Sequence, residues 1–447
     1  MSHETLNVLL VVLEGARPDH CSGTGYERET TPFLDQMARE GVRFPHAFTT
    51  APSSVAAVAS MLSGLFPSLH GATEETPVLG PALRLLPEVL KARGYRTAAF
   101  CPDPAIGPQS GFGRGFDRFF TQHGGGRITG RAADYARRAS DRVLGRGDAG
   151  ARRTTHALLD WIGAPGEPFF AFVHYREALR PLRPPAPYDR TFMPAGLTAA
   201  HARAANHAVE GPPRAVGADE AAALAALHDG ALRYADLRLK EIADALVAAR
   251  AWDRTLCIVT ASYGEDLGEA GSIGGVPSLC DATLRVPLVL RCPRRIPSGF
   301  VVEEFAQPVD LLPTVAALTG CALEAPVQGR ALLDRAGASA GPAAIRAEAF
   351  RAAASAASSA SSVRRKVMRT RREKLIWQSD EDNALYDLTG DPHERRNLAA
   401  AQPERADRVR RALFDWLAES QRWAATNGLA QPEVGRAVAL ERQGAGE

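Results

Sequence analysis

Apolar positions arrive along this chain in short runs, separated by segments of helical period. NVLLVVL (7–13) is continuous and apolar, the pattern of a strand covered on both faces. TTPFLDQMAREGV (30–42) follows. Thr31 can cap a helix there, Pro32 suits its first position, and Gly41 can end it. SVAAVASMLSGL (54–65) and LRLLPEVLKARGY (84–96) predict two further helices, TAAFC (97–101) and PFFAFVHY (168–175) two further strands. Residues 218–252 form a long, strongly helical stretch that feeds an apolar strand, TLCIVT (255–260). RVPLVLRCP (285–293) reads as a strand and PVDLLPTVAALTG (308–320) as a helix. This alternation predicts an α/β fold with a large, mostly parallel sheet flanked by helices.

The pattern changes after about residue 335. The first 335 residues form the α/β domain, and Ala/Ser-rich residues 336–362 read as a linker or loop, mobile in part. A smaller α+β subdomain with a short antiparallel sheet is expected over 363–425. Its elements are VRRKVMRTRREKLIW (363–377), NALYDL (383–388) and the amphipathic helix PERADRVRRALFDWLAES (403–420), with a tail over 426–447. VRRKVMRTRREK holds seven basic residues in twelve; it reads as a solvated strand pair, with an anion-binding surface as the alternative.

Composition narrows the class. Of 447 residues, 45% are hydrophobic and 23% charged, and the net charge of +2 gives no reason to expect a nucleic-acid or membrane partner. The first apolar run is eight residues long (6–13), too short to span a bilayer, and no basic segment or cleavage site accompanies it. The six cysteines are scattered, without a CxxC pair, and read as reduced thiols of a cytoplasmic protein.

The stretch TASYGEDLGEAG (260–271) leaves the end of a buried strand, where open α/β sheets keep their chemistry. Together with residues 7–48, SMLSGLFPSLHG (60–71), ALRYADLRLKEIADAL (231–246), LRVPLVLRCP (284–293), VDLLPTVAALTG (309–320) and residues 374–399, it resembles the sulfatase family of the alkaline-phosphatase-like superfamily. The resemblance implies hydrolysis of sulfate, phosphate or phosphonate esters beside a divalent cation. It also implies a nucleophile at a helix N-terminus, and a C-terminal subdomain with a four-stranded antiparallel sheet.

Position by position, this chain departs from the family's chemistry. Glu14 stands where the first strand ends in a ligating aspartate, and Gly15 where a second sometimes follows. Ser54 holds the nucleophile position, but Ala56 and Val58 replace the Pro and Arg of the formylglycine motif. Ser54 reads either as an unmodified nucleophile or, with Ser53, as a helix cap. In VHYREALRPLRPP (173–185), the prolines align with the family's VHYxDPHxPYxPP, so the catalytic histidine falls at Leu179 and the tyrosine at Leu182; His174 reads as a strand residue. The family's TSDHGExxGEHG becomes a loop with Ser262 and Tyr263 at the remaining ligand positions and Ala270 at the later histidine. A further Lys or His is replaced near Pro277.

These losses predict that no metal is held and that Glu14, Ser262 and Tyr263 are vestigial ligand positions. One glutamate, a hydroxyl and a phenol do not supply the charge a hard dication needs. The favoured reading is a sulfatase-like protein that is a pseudoenzyme or has been repurposed to bind an anionic small molecule or a protein partner, with Arg17, Arg176 and Arg180 as candidate contacts. The alternative is an atypical hydrolase or transferase of sulfate or phosphate esters using Ser54 and the Tyr263 phenol, with calcium, manganese or magnesium as cofactor where the site is active. A third reading is a partner-binding module presenting residues 363–374 and the helix 218–250.

Overall fold

The computed structural model describes residues 5–121, 147–163, 168–208, 213–269, 271–274, 278–334, 337–338, 341–351, 363–379 and 382–429. Eight strands build the main sheet: β1 (Asn7–Leu13), β2 (Val42–Arg43), β3 (Arg96–Phe100), β4 (Arg118–Phe120), β5 (Phe169–Tyr175), β6 (Thr255–Thr260), β7 (Leu288–Arg291) and β8 (Phe300–Val301). Their order across the sheet is β8-β2-β7-β6-β1-β5-β3-β4. β7 runs antiparallel to both its neighbours, and the other pairs are parallel. Every residue of β1, β5 and β6 is buried, which explains why these segments read as unbroken apolar runs rather than alternating ones.

Helices cover both faces of the sheet: α1 (Pro32–Glu40), α2 (Ser54–Ser63), α3 (Ala151–Ile162), α4 (Ala218–Ala248) and α5 (Leu311–Thr319). Thr31 stands at the N-cap of α1 without a side-chain cap bond. The carboxylate of Asp236, on α4, instead accepts from the amides of Phe33 (2.9 Å) and Leu34 (2.8 Å). The helix expected over 84–96 is shorter, Leu86–Lys91.

The C-terminal part is a four-stranded antiparallel sheet, β9 (Ile345–Arg351), β10 (Val363–Arg369), β11 (Glu373–Gln378) and β12 (Ala384–Asp387), closed by α6 (Pro403–Thr426). β9 lies inside the stretch that the sequence assigned to a linker. Its alternate residues Ile345, Ala347 and Ala349 are buried against Val367, and small alanines in this role hide the strand pattern.

The basic run 363–374 is solvated only in part: Arg371 and Arg372 are exposed, but Lys366 and Lys374 are not. Lys366 is fully buried and donates to Glu348 at 2.6 Å. Lys374 is also fully buried and donates to Asp281 (3.0 Å) and both oxygens of Glu394 (2.9 Å). Arg369 donates to Asp281 as well, at 2.9 Å. The acidic partners of Lys366, Arg369 and Lys374 belong to the chain itself, and Asp281 ties the small sheet to the α/β part.

Candidate functional site

The carboxyl ends of β1, β5 and β6 set the site. Glu14 follows β1; its amide donates to the Tyr175 carbonyl at 2.8 Å. The next amide, of Gly15, donates to the Tyr263 carbonyl at 3.0 Å, so the three strand ends are stitched side by side. Gly15 has φ +84°, and a Cβ placed there would sit 2.2 Å from the Ala178 carbonyl oxygen. The position where the family sometimes carries a second aspartate is therefore closed to any side chain.

Glu14 is almost fully buried, at 1% exposure. The Ser54 hydroxyl donates to its Oε1. The Arg176 guanidinium donates through Nε to Oε2 at 2.9 Å. His174 places Nε2 3.3 Å from the same oxygen, at ion-pair distance but off the hydrogen-bond axis. Burial alone would raise the pKa of this carboxyl; His174 and Arg176 outweigh that and hold it below the ordinary carboxylate value. The His174 ring is fully buried, and burial opposes its charge. The Cys101 sulfur, 3.2 Å from Nδ1, and the Glu14 carboxylate overcome that and push the imidazole up to about 10. Glu14 thus sits between two cations.

Ser54 owes its freedom to its neighbour. Ser53 is the N-cap of α2, and its oxygen accepts from the Ala56 amide at 3.4 Å. Ser54 is the first helical residue, half-buried, and its hydroxyl is left for Glu14.

The loop after β6 has a different internal economy from the one its acidic composition suggests. Glu265 is buried and accepts from Arg180 through Nε at 2.9 Å and through the backbone amide at 2.8 Å. Arg180 also donates to the carbonyls of Ala205 and Ala208. Arg17 is buried, forks onto Asp19 (2.6 and 3.1 Å), and reaches Glu269 and the Glu265 carbonyl. Asp266 accepts from the Gly268 amide at 2.9 Å. Arg17 and Arg180 therefore staple the loop to the strand ends. Of the three candidate arginines, only Arg176 lies on Glu14, with a third of its side chain exposed.

Ser262 is buried, and its hydroxyl has no hydrogen-bond partner. Tyr263 is half-buried beside Glu14; burial, then Glu14 and Glu265, push its phenol well above the ordinary tyrosine value, so it stays protonated. Leu182 packs with Leu224 and Leu227, and Leu179 is half-buried in the turn after Arg176. Ala270 and Pro277 lie outside the described residues. Sequence reading missed the contacts of His174 and Cys101. The signal was in the strand register: His174 pairs with Val12, two residues before Glu14 and hence on the same face of the sheet.

The fold and the strand-end site define an alkaline-phosphatase-like α/β protein. The sulfatase family profile matches residues 6–321, and that of the N-sulphoglucosamine sulphohydrolase C-terminal region matches residues 278–422. The chain belongs to the sulfatase family. It is 26% identical over 392 residues to the multifunctional alkaline phosphatase superfamily protein PehA of Trinickia caryophylli, covering 73% of this chain and 76% of that one. It is also 26% identical over 422 residues to mouse (Mus musculus) steryl-sulfatase, covering 73% and 64% of the two chains. Among solved structures, the phosphonate monoester hydrolase of Agrobacterium radiobacter superposes with a TM-score of 0.76 at 21% identity, covering 93% of this chain and 96% of that one. A sulfatase of Bacteroides thetaiotaomicron, described as putative, gives 0.70 at 19%, covering 94% and 93%. Members of the sulfatase family typically use a divalent metal. No helix among the described residues is long and apolar enough to cross a membrane.

Proposed function

We propose that this protein is a sulfatase-family member that binds an anionic ester, sulfate or phosphate, at Arg176 and Ser54 without a divalent metal and without the family's hydrolysis. One observation carries the reading: both oxygens of Glu14 are engaged by groups of the chain, Ser54 on one side and Arg176 with His174 on the other. A divalent cation does not fit this donor set. It would meet a carboxylate already neutralised by two cations, the buried hydroxyl of Ser262 and a protonated phenol, and would lose its hydration without recovering anionic ligands. The fixed cations take over the charge role of the metal. Glu14 and Asp103, 3.9 Å from the Arg176 guanidinium, balance the charges of His174 and Arg176, so the attraction for an anion rests on the one-third of the Arg176 side chain that is exposed rather than on a net charge. The N-terminus of α2 adds its dipole.

The test is calorimetric titration of the full chain with inorganic sulfate, inorganic phosphate and phenyl sulfate, before and after chelation. Binding that survives chelation and is lost in Arg176→Gln supports the reading. Binding that appears only with added calcium, magnesium or manganese overturns it.

A second reading rests on the Ser54 hydroxyl donating to Glu14, the geometry of a nucleophile beside its base. In it, Glu14 takes the Ser54 proton while Oγ attacks sulfur or phosphorus, the ester S–O or P–O bond breaks, the departing alkoxide takes up a proton from water, and Arg176 stabilises the developing charge. Turnover of aryl sulfates, phosphates and phosphonates that is abolished in Ser54→Ala would establish it in place of the binding reading. A partner-binding role through the helix 218–250 has no comparable observation behind it, and the inward residues of the basic run are already paired within the chain.

A further inference from the structure

We infer that His20, His228 and Asp229 form a zinc-class metal site distinct from the family's metal position. All three are buried, and each can offer a donor atom with the three atoms within 4.8 Å of one another. The key is the protonation pattern of His228. Its Nε2 lies 2.9 Å from the Gly15 carbonyl oxygen, which can only accept. Nε2 therefore carries the hydrogen, and Nδ1 of the neutral ring is a bare lone pair. That Nδ1 has no hydrogen-bond partner, although the ring is fully buried, and it faces Asp229 Oδ1 at 3.9 Å. A lone pair turned on a carboxylate inside a protein is repulsive unless a cation lies between them.

Two features favour a metal over a proton as that cation. First, His20 turns Nδ1 onto the same oxygen at 2.7 Å, so two imidazoles and one carboxylate oxygen converge on one point. Donors on one tetrahedral zinc stand about 3.3 Å apart; the two pairs to Asp229 Oδ1 lie at 2.7 and 3.9 Å and all three donors within 4.8 Å, so the ion would have to part His20 from the carboxylate and draw His228 in. Second, the surrounding bonds are those that fix metal ligands. The Gly15 carbonyl holds the His228 tautomer, and Tyr26 and Arg28 each bond Asp229 Oδ2 at 2.7 Å, which leaves Oδ1 to the two imidazoles. Two nitrogens and one oxygen suit zinc rather than calcium or magnesium.

The experiment strips the full-length protein with a chelator, adds zinc, removes the excess and measures zinc per chain by mass spectrometry. One equivalent is expected in the wild type and in Glu14→Gln, and a loss to background in His228→Gln and His20→Gln. The wild type alone provides a second readout: X-ray absorption of the bound zinc should show imidazole scattering at about 2.0–2.1 Å. Failure of the wild type to retain zinc overturns the inference, as does an all-oxygen shell or unchanged zinc in a folded His228→Gln protein. Zinc lost in Glu14→Gln but kept in His228→Gln would place the ion at the family position, and would overturn the metal-independent reading as well. Absence of zinc anywhere overturns this site and leaves that reading standing.

Discussion

The Nε of Arg176 stands 2.9 Å from Oε2 of Glu14, and a third of the Arg176 side chain is exposed to solvent. One cation thus neutralises a buried carboxylate and still presents charge outward. Arg176→Gln keeps a donor near Glu14 but removes the exposed charge. Its affinity for inorganic sulfate should fall at least about tenfold, or about 1.4 kcal/mol, in calorimetric titration. Arg176→Lys should recover only part of this, because an ammonium lacks the fork that can bridge a carboxylate and a tetrahedral anion at once. Equal sulfate affinity in Arg176→Gln and wild type would remove Arg176 from the site.

The pairing of Glu14 with His174 gives a second prediction, in the pH dependence of stability. The His174 pKa is about 10 in the folded chain, against about 6.5 when unfolded. Its contribution is therefore complete below pH 6.5 and is lost as pH rises through 10. Glu14, with a lowered pKa, acts in the opposite sense: its contribution is present above the ordinary carboxylate value and is lost as pH falls. Glu177 complicates the middle of the range. Burial, then Asp148, raise it to about 8, so it costs stability as pH rises from 4.5 to 8. At pH 8 that titration is half complete, and it is common to wild type and a His174 variant, so it cancels in their difference. Urea denaturation of wild type and His174→Gln between pH 8 and 10 should isolate the histidine. The wild type should lose stability relative to the variant by an amount on the order of a few kcal/mol. Parallel curves would mean that His174 is neutral.

The two levels of organisation were unequally legible in the chain. The apolar runs of β1, β5 and β6 announced themselves because both of their faces are covered, and the prolines after Arg176 kept the register of that segment visible. β9 stayed hidden because alanines fill its buried face. The charges were harder to read. Arg17 and Arg180 looked like candidate ligand contacts, but their partners, Asp19, Glu265 and Glu269, are within the fold. Lys366 and Lys374 looked solvated because composition carries no information about which face of a strand pairs with what. The residue at each single position was legible; the contacts around it were not, because Arg176 and His174 reach Glu14 through the adjacency of β1 and β5 rather than through any motif.

Gly15 offers a sharp test of the strand-end geometry. Its φ of +84° would strain any other residue by about 1–3 kcal/mol, and the Ala178 carbonyl 2.2 Å from a new Cβ adds a clash with backbone that cannot rotate away. Gly15→Ala should lower the thermal midpoint by well over 5 °C or prevent folding, as measured by calorimetry. Gly264→Ala should be destabilising for the related reason that its Cβ would lie 2.3 Å from the Ala282 carbonyl oxygen. Wild-type stability in Gly15→Ala would show that the three strand ends are not held as described.

Lys374 anchors the C-terminal sheet to the α/β part through Asp281. Its ammonium is fully buried between Asp281 and Glu394, beside Arg369 on Asp281. Burial opposes the charge, but the two carboxylates outweigh it and raise the lysine. Glu394 is itself pushed up to about 7 by burial and then by Asp281, despite Lys374. Removing the cation by Lys374→Met leaves two buried carboxylates facing each other, one of them still held by Arg369. The expected cost is about 3–5 kcal/mol in urea denaturation. Lys374→Met combined with Glu394→Gln should recover a large part of it, because the double variant buries no unpaired charge at that point and Arg369 still serves Asp281. If the single variant costs nothing, the C-terminal sheet is not anchored through this lysine. If the double variant is no more stable than the single one, lost packing rather than the stranded carboxylate is the cause.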